Sequence, residues 1–258
     1  MKIGIIGYGI VGKATEVMLR KYFNPKFDLV LYDPKIVDCN YEGMNSCGYV
    51  FICVPTPADP ETGKCDTSIV EEAVSRLSAI KEKSFHIIIR STVPPGTCEI
   101  FQEKYNYPIH FMPESLTESS WWEDAENPYY IITAGDYADQ IMMLFKNFPK
   151  ERKFIVDLPT ASLFKYAMNC LFATKVTFAE AMFDVAQKCN ANWPQIVDLM
   201  YRHPWVGSNH LEAWHRGKRG YDGKCLPKDV KAIAYGFDSS FLQFVDLYNK
   251  GVGYVKPD

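Results

Sequence analysis

Residues 2–12 read KIGIIGYGIVG and decide the fold of the first half of the chain. A short apolar run leads into Gly7-Tyr8-Gly9-Ile10-Val11-Gly12, which follows the pattern G-x-G-x-x-G and opens a helix-like segment. In this pattern the first glycine permits a tight turn, the second lets a pyrophosphate approach the backbone, and the third lets helix and strand pack closely. Amides at the helix N-terminus then face the phosphates. The stretch therefore predicts a dinucleotide-binding turn, with a turn that binds nothing as the alternative.

The rest of the first half alternates between strand-like and helix-like segments. Apolar runs without interruption suit strands that are buried on both faces of a parallel sheet, and helices between them imply right-handed crossovers. The predicted strands are 2–7, 28–33, 49–55, 85–92, 108–112, 129–134 and 153–157, and helix-like segments include 12–23 and 68–82. This alternation predicts a Rossmann-type, doubly wound parallel sheet of the α/β class.

Asp33 ends the second predicted strand, at the position where an acidic group binds the ribose hydroxyls of NAD. An NADP site would more often carry arginine there, and the nearby Lys35 leaves that alternative open. We expect NAD to be the cofactor.

The composition changes near residue 159. Residues 160–188 contain neither glycine nor proline, which predicts one long and mostly buried helix, and 193–202 and 227–236 favour further helices. We therefore expect an NAD-binding Rossmann domain over 1–158, followed by a smaller all-helical domain over 159–258.

Composition limits the partners and the compartment. A net charge of −3 over 258 residues gives no reason to expect nucleic acid or an anionic membrane as a partner. The eight cysteines show no spacing typical of a zinc site, so we expect no metal. Without a recognisable secretory signal, reduced thiols in the cytoplasm are expected.

Two segments of the second half carry chemistry. Lys165 and Asn169 lie four residues apart in the long apolar helix, and a lysine there is costly unless it has a partner or extends to solvent. Residues 220–229 read GYDGKCLPKD, which puts Cys225 at the start of a helix beside two lysines. That setting favours a thiolate nucleophile, although a structural cysteine remains the alternative.

Taken together and in order, these motifs resemble the UDP-glucose and GDP-mannose dehydrogenase family. Besides the glycine-rich turn, the Lys-x-x-x-Asn pair and the cysteine loop, the resemblance includes Val54-Pro55-Thr56-Pro57, Ser91-Thr92-Val93-Pro94-Pro95-Gly96-Thr97 and Pro113-Glu114-Ser115-Leu116-Thr117-Glu118. It implies an NAD-dependent, four-electron oxidation of a sugar primary alcohol to an acid. The expected substrate is a nucleotide sugar or another anionic sugar.

The resemblance also implies a role for each matching residue. Cys225 corresponds to the nucleophile, Lys165 and Asn169 to the pair that holds the substrate oxygen, and Asp229 to a carboxylate that works with Lys165 and a water. Thr92 corresponds to a residue at that water or at the cofactor. Glu114 and Glu118 correspond to carboxylates at the nicotinamide and substrate end, with Glu118 as the general base for hydrolysis. The expected cofactor-binding residues are Gly7, Gly9, Ile10, Val11, Gly12, Asp33, Val54, Pro55, Thr56, Pro57 and Thr92.

The chain departs from the family pattern at several positions. Asp222 stands where the family has a glycine, Lys224 where it has a small residue, and Trp205 where it has an arginine that reaches a neighbouring subunit. A C-terminal α/β domain that grips the nucleotide would begin where the sequence ends. The basic run His215-Arg216-Gly217-Lys218-Arg219 could contact phosphates in its place, or could be a solvated loop.

The resemblance further implies a homodimer formed through the helix at 160–188. Two other functions stay open at this point. One is a two-electron dehydrogenase of the β-hydroxyacid type, which needs no cysteine loop. The other is a non-catalytic NAD-binding remnant.

Overall fold

The computed structural model describes residues 1–23, 26–36, 41–59, 62–80, 85–215 and 217–252. The chain divides into two compact units. The first comprises Met1–Pro57 and Asp66–Lys165, and the second comprises Ala58–Cys65 and Tyr166–Asp258. The division into domains at residue 158 remains a prediction.

The first unit is built on a seven-stranded sheet with the order β2-β1-β3-β4-β5-β6-β7. The strands are β1 (Lys2–Ile6), β2 (Asp28–Tyr32), β3 (Tyr49–Ile52), β4 (His86–Ile89), β5 (Ile109–Phe111), β6 (Ile131–Ala134) and β7 (Lys153–Val156). All seven predicted strands are present, and the doubly wound Rossmann-type sheet is confirmed. One pair differs from the expected parallel sheet, because β5 and β6 run antiparallel where Phe111 pairs with Ala134.

The antiparallel pair lies inside a sheet that is otherwise parallel, since β6 and β7 pair parallel again. The intervening helix between β5 and β6 is α4 (Trp121–Glu126). Mixed sheets of this kind are common among doubly wound folds, so the architecture is kept.

Helices cover both faces of the sheet. They are α1 (Ile10–Tyr22), α2 (Ser68–Ser78), α3 (Thr97–Tyr105), α4 and α5 (Ala138–Met142), of which α3 to α5 were not predicted. Successive strand residues alternate between two buried clusters: Ile87 and Ile89 belong to one, and Ile88 belongs to the other. This alternation is the packing that the continuous apolar runs predicted.

The second unit is helical. Its helices are α7 (Trp193–Tyr201), α8 (Leu226–Gly236), α9 (Ser240–Val252) and the greater part of α6 (Leu158–Lys188), the long helix that the sequence predicted. One apolar cluster joins α7 to the second half of α6, and another joins α8 and α9 to residues 170–176 of α6. In the part of the chain that the structure describes, no helix is long and apolar enough to cross a membrane.

Candidate active site

The glycine-rich turn lies between β1 and α1, at the carboxyl edge of the sheet. The chain passes from β1 to β2 on one side and then to β3 on the other, so this edge is a topological switch point, where α/β sheets bind ligands. Gly7 has φ +87°, and a Cβ there would lie 2.7 Å from the carbonyl oxygen of Cys53. A Cβ on Gly12 would lie 2.2 Å from the carbonyl oxygen of Gly7. Both positions therefore require glycine for close packing of the backbone.

Gly9 differs from these two glycines. A Cβ on Gly9 would have no atom within 4 Å, although Gly9 is the residue that precedes the first turn of α1. The open space above Gly9 fits the close approach of a pyrophosphate, which the pattern assigns to its second glycine. Ile10 and Val11 then begin the helix whose N-terminal amides face that space.

Asp33 follows β2 directly beside the glycine-rich turn. Its carboxylate accepts hydrogen bonds from the backbone N–H groups of Tyr8 (2.7 Å) and Lys35 (2.9 Å). The Tyr8 bond is the main cause that lowers the pKa of Asp33, so the side chain is ionised at neutral pH. The turn and this acidic group thus form one arrangement that fits a dinucleotide with free ribose hydroxyls.

The loops after β3 and β4 are tied together at the same edge. The Ser91 hydroxyl donates to the carbonyl oxygen of Val54 at 2.7 Å. Thr56 and Thr92 are buried, whereas Pro55 and Pro57 are exposed. The predicted cofactor-binding residues of the first unit therefore follow three neighbouring strands, β1, β3 and β4, and the adjacent strand β2.

Glu114 and Lys165 form a buried ion pair in the first unit. The Lys165 Nζ lies 2.7 Å from the Glu114 Oε1, and both side chains are 8% exposed. Burial raises the pKa of Glu114, but the Lys165 ammonium, the Leu116 N–H and the Arg90 charge outweigh it, so the pKa is lowered overall. Glu114 is therefore the partner that a lysine in this apolar stretch was expected to have. It is also one of the two carboxylates that the family resemblance implies at the nicotinamide and substrate end.

Asn169 and Asp229 are joined in the second unit. The Asn169 Nδ2 donates to the Asp229 Oδ2 at 2.5 Å, and Asp229 is 1% exposed. The Lys228 Nζ lies 2.5 Å from the other carboxylate oxygen of Asp229. This cluster brings the cysteine-loop motif and the Lys-x-x-x-Asn motif into direct contact across 60 residues of sequence.

Cys225 precedes the first turn of α8 and is exposed. Its carbonyl oxygen accepts a hydrogen bond from the Asp229 N–H at 3.0 Å, and Pro227 stands at the start of the helix. The thiol therefore sits at a helix N-terminus, the environment that favours a thiolate. The candidate base Glu118 is also exposed, in the turn that leads to α4.

Two domain families match the chain, and both carry the same family name. The UDP-glucose/GDP-mannose dehydrogenase family, NAD binding domain, matches residues 35–148, and the central domain of that family matches residues 159–250. The chain belongs to the UDP-glucose/GDP-mannose dehydrogenase family. NAD, the cofactor expected from the sequence, is the cofactor of this family's N-terminal domain.

Individual relatives agree with this assignment. A UDP-glucose 6-dehydrogenase from Rickettsia typhi is 32% identical over 216 residues, which cover 78% of this chain and 49% of the relative. The chain thus spans about half the length of that curated relative. A UDP-glucose dehydrogenase from Pyrobaculum islandicum has the same fold, with a TM-score of 0.82 at 22% identity over 98% of this chain and 67% of that one. A UDP-D-ManNAc dehydrogenase from Pyrococcus horikoshii has a TM-score of 0.78 at 20% identity, with 98% and 69% covered.

The residues that depart from the family pattern are now located. Asp222 and Lys224 are exposed beside Cys225, and Asp222 lies 3.6 Å from Lys218. Trp205 is 90% exposed.

The basic run at 215–219 is described only in part. Arg219 forms a buried ion pair with Glu180 of α6, so its guanidinium is neither solvated nor available to contact a phosphate. Arg216 lies outside the described residues.

Sequence reasoning missed Glu180, Asn249 and Arg90. Glu180 and Arg90 are fully buried charged residues, and Asn249 of α9 bonds to the backbone of the cysteine loop. Glu180 could have been found by the argument that singled out Lys165, because it too is a charge in the apolar stretch of α6. Asn249 carried no such signal, because polar residues on an amphipathic helix are ordinary.

Proposed function

We propose that this chain is an NAD-dependent nucleotide-sugar dehydrogenase that oxidises a primary alcohol to a carboxylic acid through Cys225. One observation carries the proposal: Asp229, one turn after Cys225 in α8, is buried and bonded to Asn169 of α6. A buried carboxylate is costly for a fold to keep unless it is hydrogen-bonded, so a bonded carboxylate one turn after an exposed thiol supports a catalytic role for this segment. A cysteine with a purely structural role would not require the Asp229–Asn169 hydrogen bond one turn away.

The proposed reaction releases four electrons from one carbon. In the balanced equation, RCH₂OH, two NAD⁺ and one water give RCOO⁻, two NADH and three protons. When bound, NAD supplies the hydride acceptor for both oxidation steps. The protein supplies the nucleophile, the oxygen-binding groups and the base.

Cys225 acts between the two oxidations. Its thiolate adds to the aldehyde carbon, and the resulting thiohemiacetal loses a second hydride to become a thioester. Asn169 and Lys165 donate hydrogen bonds to the oxygen that becomes negative, which is the kind of contact that contributes most to acyl-transfer catalysis. Asp229 orients Asn169 for this task through the 2.5 Å bond.

Hydrolysis of the thioester completes the cycle. We assign the general base to Glu118, whose exposure gives it access to water, and place Thr92 at that water or at the cofactor. Glu114 keeps Lys165 protonated as a hydrogen-bond donor, because removal of the proton would leave Glu114 as an unpaired buried charge. The thiol must be reduced to act, so we propose a cytoplasmic location.

A homodimer through α6 is part of the proposal. On the helix, exposed apolar side chains recur at intervals of seven, four and three residues, which is the spacing of a helix-packing stripe. They are Leu171, Phe178, Met182 and Val185. Light scattering at micromolar concentration should give twice the chain mass, and Phe178→Asp should give the monomer mass. A monomer for the unmodified chain would refute the dimer.

The function is tested by counting products. UDP-sugars, GDP-sugars, sugar phosphates and free sugar acids are each incubated with NAD⁺, and NADH and consumed substrate are measured together. The proposal requires two NADH per molecule of one nucleotide sugar. One NADH per substrate would indicate a two-electron dehydrogenase, and NAD binding without any turnover would indicate a non-catalytic protein.

A further inference from the structure

The loop that carries Cys225 is anchored at its root by two helices. The anchored residues are three consecutive ones, 219–221, and they precede the exposed residues 222–225. None of the groups that hold them has a role in the reaction proposed above. The contacts of residues 219–221 are therefore separate from those of the reacting groups.

Glu180 of α6 provides the first anchor. Its side chain is 0% exposed, and its two carboxylate oxygens accept from the Gly220 N–H at 2.6 Å and from the Arg219 Nε–H at 2.5 Å. The Arg219 Nη2 also lies 2.7 Å from the Asp184 Oδ1 and donates to the carbonyl oxygen of Glu180 at 3.2 Å. A fully buried carboxylate that receives a guanidinium and a backbone amide together fixes both in one orientation.

Asn249 of α9 provides the second anchor. Its Oδ1 accepts from the Tyr221 N–H at 2.7 Å, and its Nδ2 donates to the Tyr221 carbonyl oxygen at 3.0 Å. The Tyr221 ring is itself buried in the cluster formed by α6, α8 and α9. A Cβ at Gly220, which has φ +77°, would lie 2.5 Å from the Asn249 Oδ1, so the loop and α9 fit closely.

The far end of the loop is also fixed, because Cys225 begins α8. Between the two fixed ends run only Asp222, Gly223 and Lys224, with Gly223 at φ +90°. A three-residue connection between fixed ends leaves the chain little freedom, so the anchored root and α8 together limit the conformations open to residues 222–224 and to the Cys225 side chain. This holds even though Asp222 and Lys224 are larger than the residues of the family pattern.

We infer that Glu180 and Asn249 are positioning residues that hold the Cys225 thiol at the N-terminus of α8. The inference rests on the proposed function only in calling Cys225 the nucleophile. Glu180 acts on the loop both directly, through the Gly220 N–H, and through the buried ion pair with Arg219. Buried polar networks give conformational specificity in some proteins, whereas replacement of a whole buried ion pair by apolar residues often leaves stability unchanged.

The test compares three variants. In Glu180→Gln the amide oxygen can accept from only one of the two donors, and the NH₂ group opposes the other. Asn249→Ala removes both bonds to Tyr221. Asp198→Asn is the matched control, because Asp198 forms an exposed ion pair with Arg202 at 3.0 Å in the same unit.

The first measurement is amide hydrogen exchange. In Glu180→Gln and Asn249→Ala, exchange over residues 219–225 should accelerate at least about tenfold, while α7 keeps its wild-type exchange. Asp198→Asn should leave residues 219–225 unchanged. Equal acceleration in α7 would indicate general destabilisation and would overturn the inference, as would unchanged exchange in the loop.

The second measurement is the rate of alkylation at pH 7, resolved by peptide mass spectrometry. Cys189 is also exposed and serves as the internal standard. Loss of either anchor should lower the Cys225-to-Cys189 rate ratio at least about threefold, because a loosened loop lets the first turn of α8 unwind, and the thiol then loses the helix N-terminus that favours the thiolate. A ratio that stays constant while the loop exchanges faster would contradict the inference.

Neither measurement requires a sugar, so the two hypotheses can fail separately. Wild-type protein that forms no NADH with any sugar refutes the proposed function and leaves the positioning test intact. With an active substrate, Glu180→Gln should lower kcat at least about tenfold and leave the KM for NAD within twofold. A rise in that KM with unchanged kcat would overturn the positioning role.

Discussion

The glycine-rich turn and the cysteine loop each contain a glycine with positive φ, Gly7 and Gly220, but different contacts fix the conformation of the two segments. Gly7 and Gly12 are held by backbone, since a Cβ on either would overlap a carbonyl oxygen. Gly220 and Tyr221 are held by the side chains of Glu180 and Asn249. Backbone contact leaves no room for a Cβ at Gly7 or Gly12, whereas the side-chain contacts of the cysteine loop can be removed one at a time.

The two units also differ in the partners of their buried carboxylates. The first unit buries an ion pair, Glu114–Lys165, at the carboxyl edge of its sheet. The second unit buries Asp229 with Asn169 and, separately, Glu180 with Arg219. Each buried carboxylate thus has its own donors, which allows them to be tested independently.

The largest effect is expected for Lys165→Met. It leaves Glu114 buried without its ion-pair partner, which should cost about 3–5 kcal/mol of unfolding free energy, and it removes an oxygen-binding donor that contributes about 10²- to 10³-fold to kcat. The double variant Lys165→Met/Glu114→Gln removes both charges and should recover most of the stability but none of the activity. Denaturant titration and initial rates measure the two effects. Equal stability of the single variant and the wild type would contradict the buried ion pair.

Gly12→Ala tests the backbone contact. The new Cβ would lie 2.2 Å from the Gly7 carbonyl oxygen, so we expect a loss of stability of about 3 kcal/mol or more and little remaining NAD binding. Gly9→Ala is the matched control, because its Cβ would meet no atom within 4 Å. It should keep the wild-type Tm and still weaken NAD binding by about tenfold or more, since the ligand occupies that space. If Gly9→Ala binds NAD as tightly as the wild type, the pyrophosphate does not approach there.

Acid should weaken the first unit through His110. This residue is fully buried in β5, its Nε2 lies 3.2 Å from the His86 Nδ1, and burial together with the His86 charge lowers its pKa to about 4. The pKa of His110 is lower in the folded protein than the unfolded value of 6.5. The contribution of the neutral His110 to the unfolding free energy is therefore fully present above pH 6.5 and is lost as the pH falls toward 4. The loss from this group amounts to about 3 kcal/mol. In urea titrations, His110→Gln should reduce the fall in unfolding free energy between pH 6.5 and 4. If this variant shows the same fall as the wild type, His110 is not the cause of the acid sensitivity.

Asp33→Ser should give the smallest effect. The carboxylate binds ribose hydroxyls and repels a 2′-phosphate, so its loss should reduce the preference for NAD over NADP by about tenfold, or about 1.4 kcal/mol. Asp28→Ser removes a carboxylate at the opposite end of β2 and should leave the preference unchanged. Calorimetric titration of both cofactors measures it. An NADP preference in the wild type would show that Asp33 does not select the cofactor.

Local patterns were sufficient to predict the strands and the long helix, because apolar periodicity and glycine placement act over a few residues. They were not sufficient for the partners of Lys165, Asn169 and Arg219, which lie far away in sequence and are brought together only by tertiary packing. The assignment of residues 58–65 to the helical unit could not be predicted either, because it too depends on tertiary packing. The helix α9 was missed although its sequence carries the signal, because Phe241, Val245, Tyr248 and Val252 recur at helical intervals of four, three and four residues.

The central claim is that Cys225 is the nucleophile, and the most direct measurement compares Cys225→Ser with Cys189→Ser. Both residues are exposed cysteines of the second unit, so the two variants differ in position and not in chemistry. With a nucleotide sugar that the wild type oxidises, acid product is quantified by chromatography while NADH is followed. We predict that Cys189→Ser forms acid at the wild-type rate and that Cys225→Ser stops at or before the aldehyde. Acid formation by Cys225→Ser at the wild-type rate would show that Cys225 is not the nucleophile.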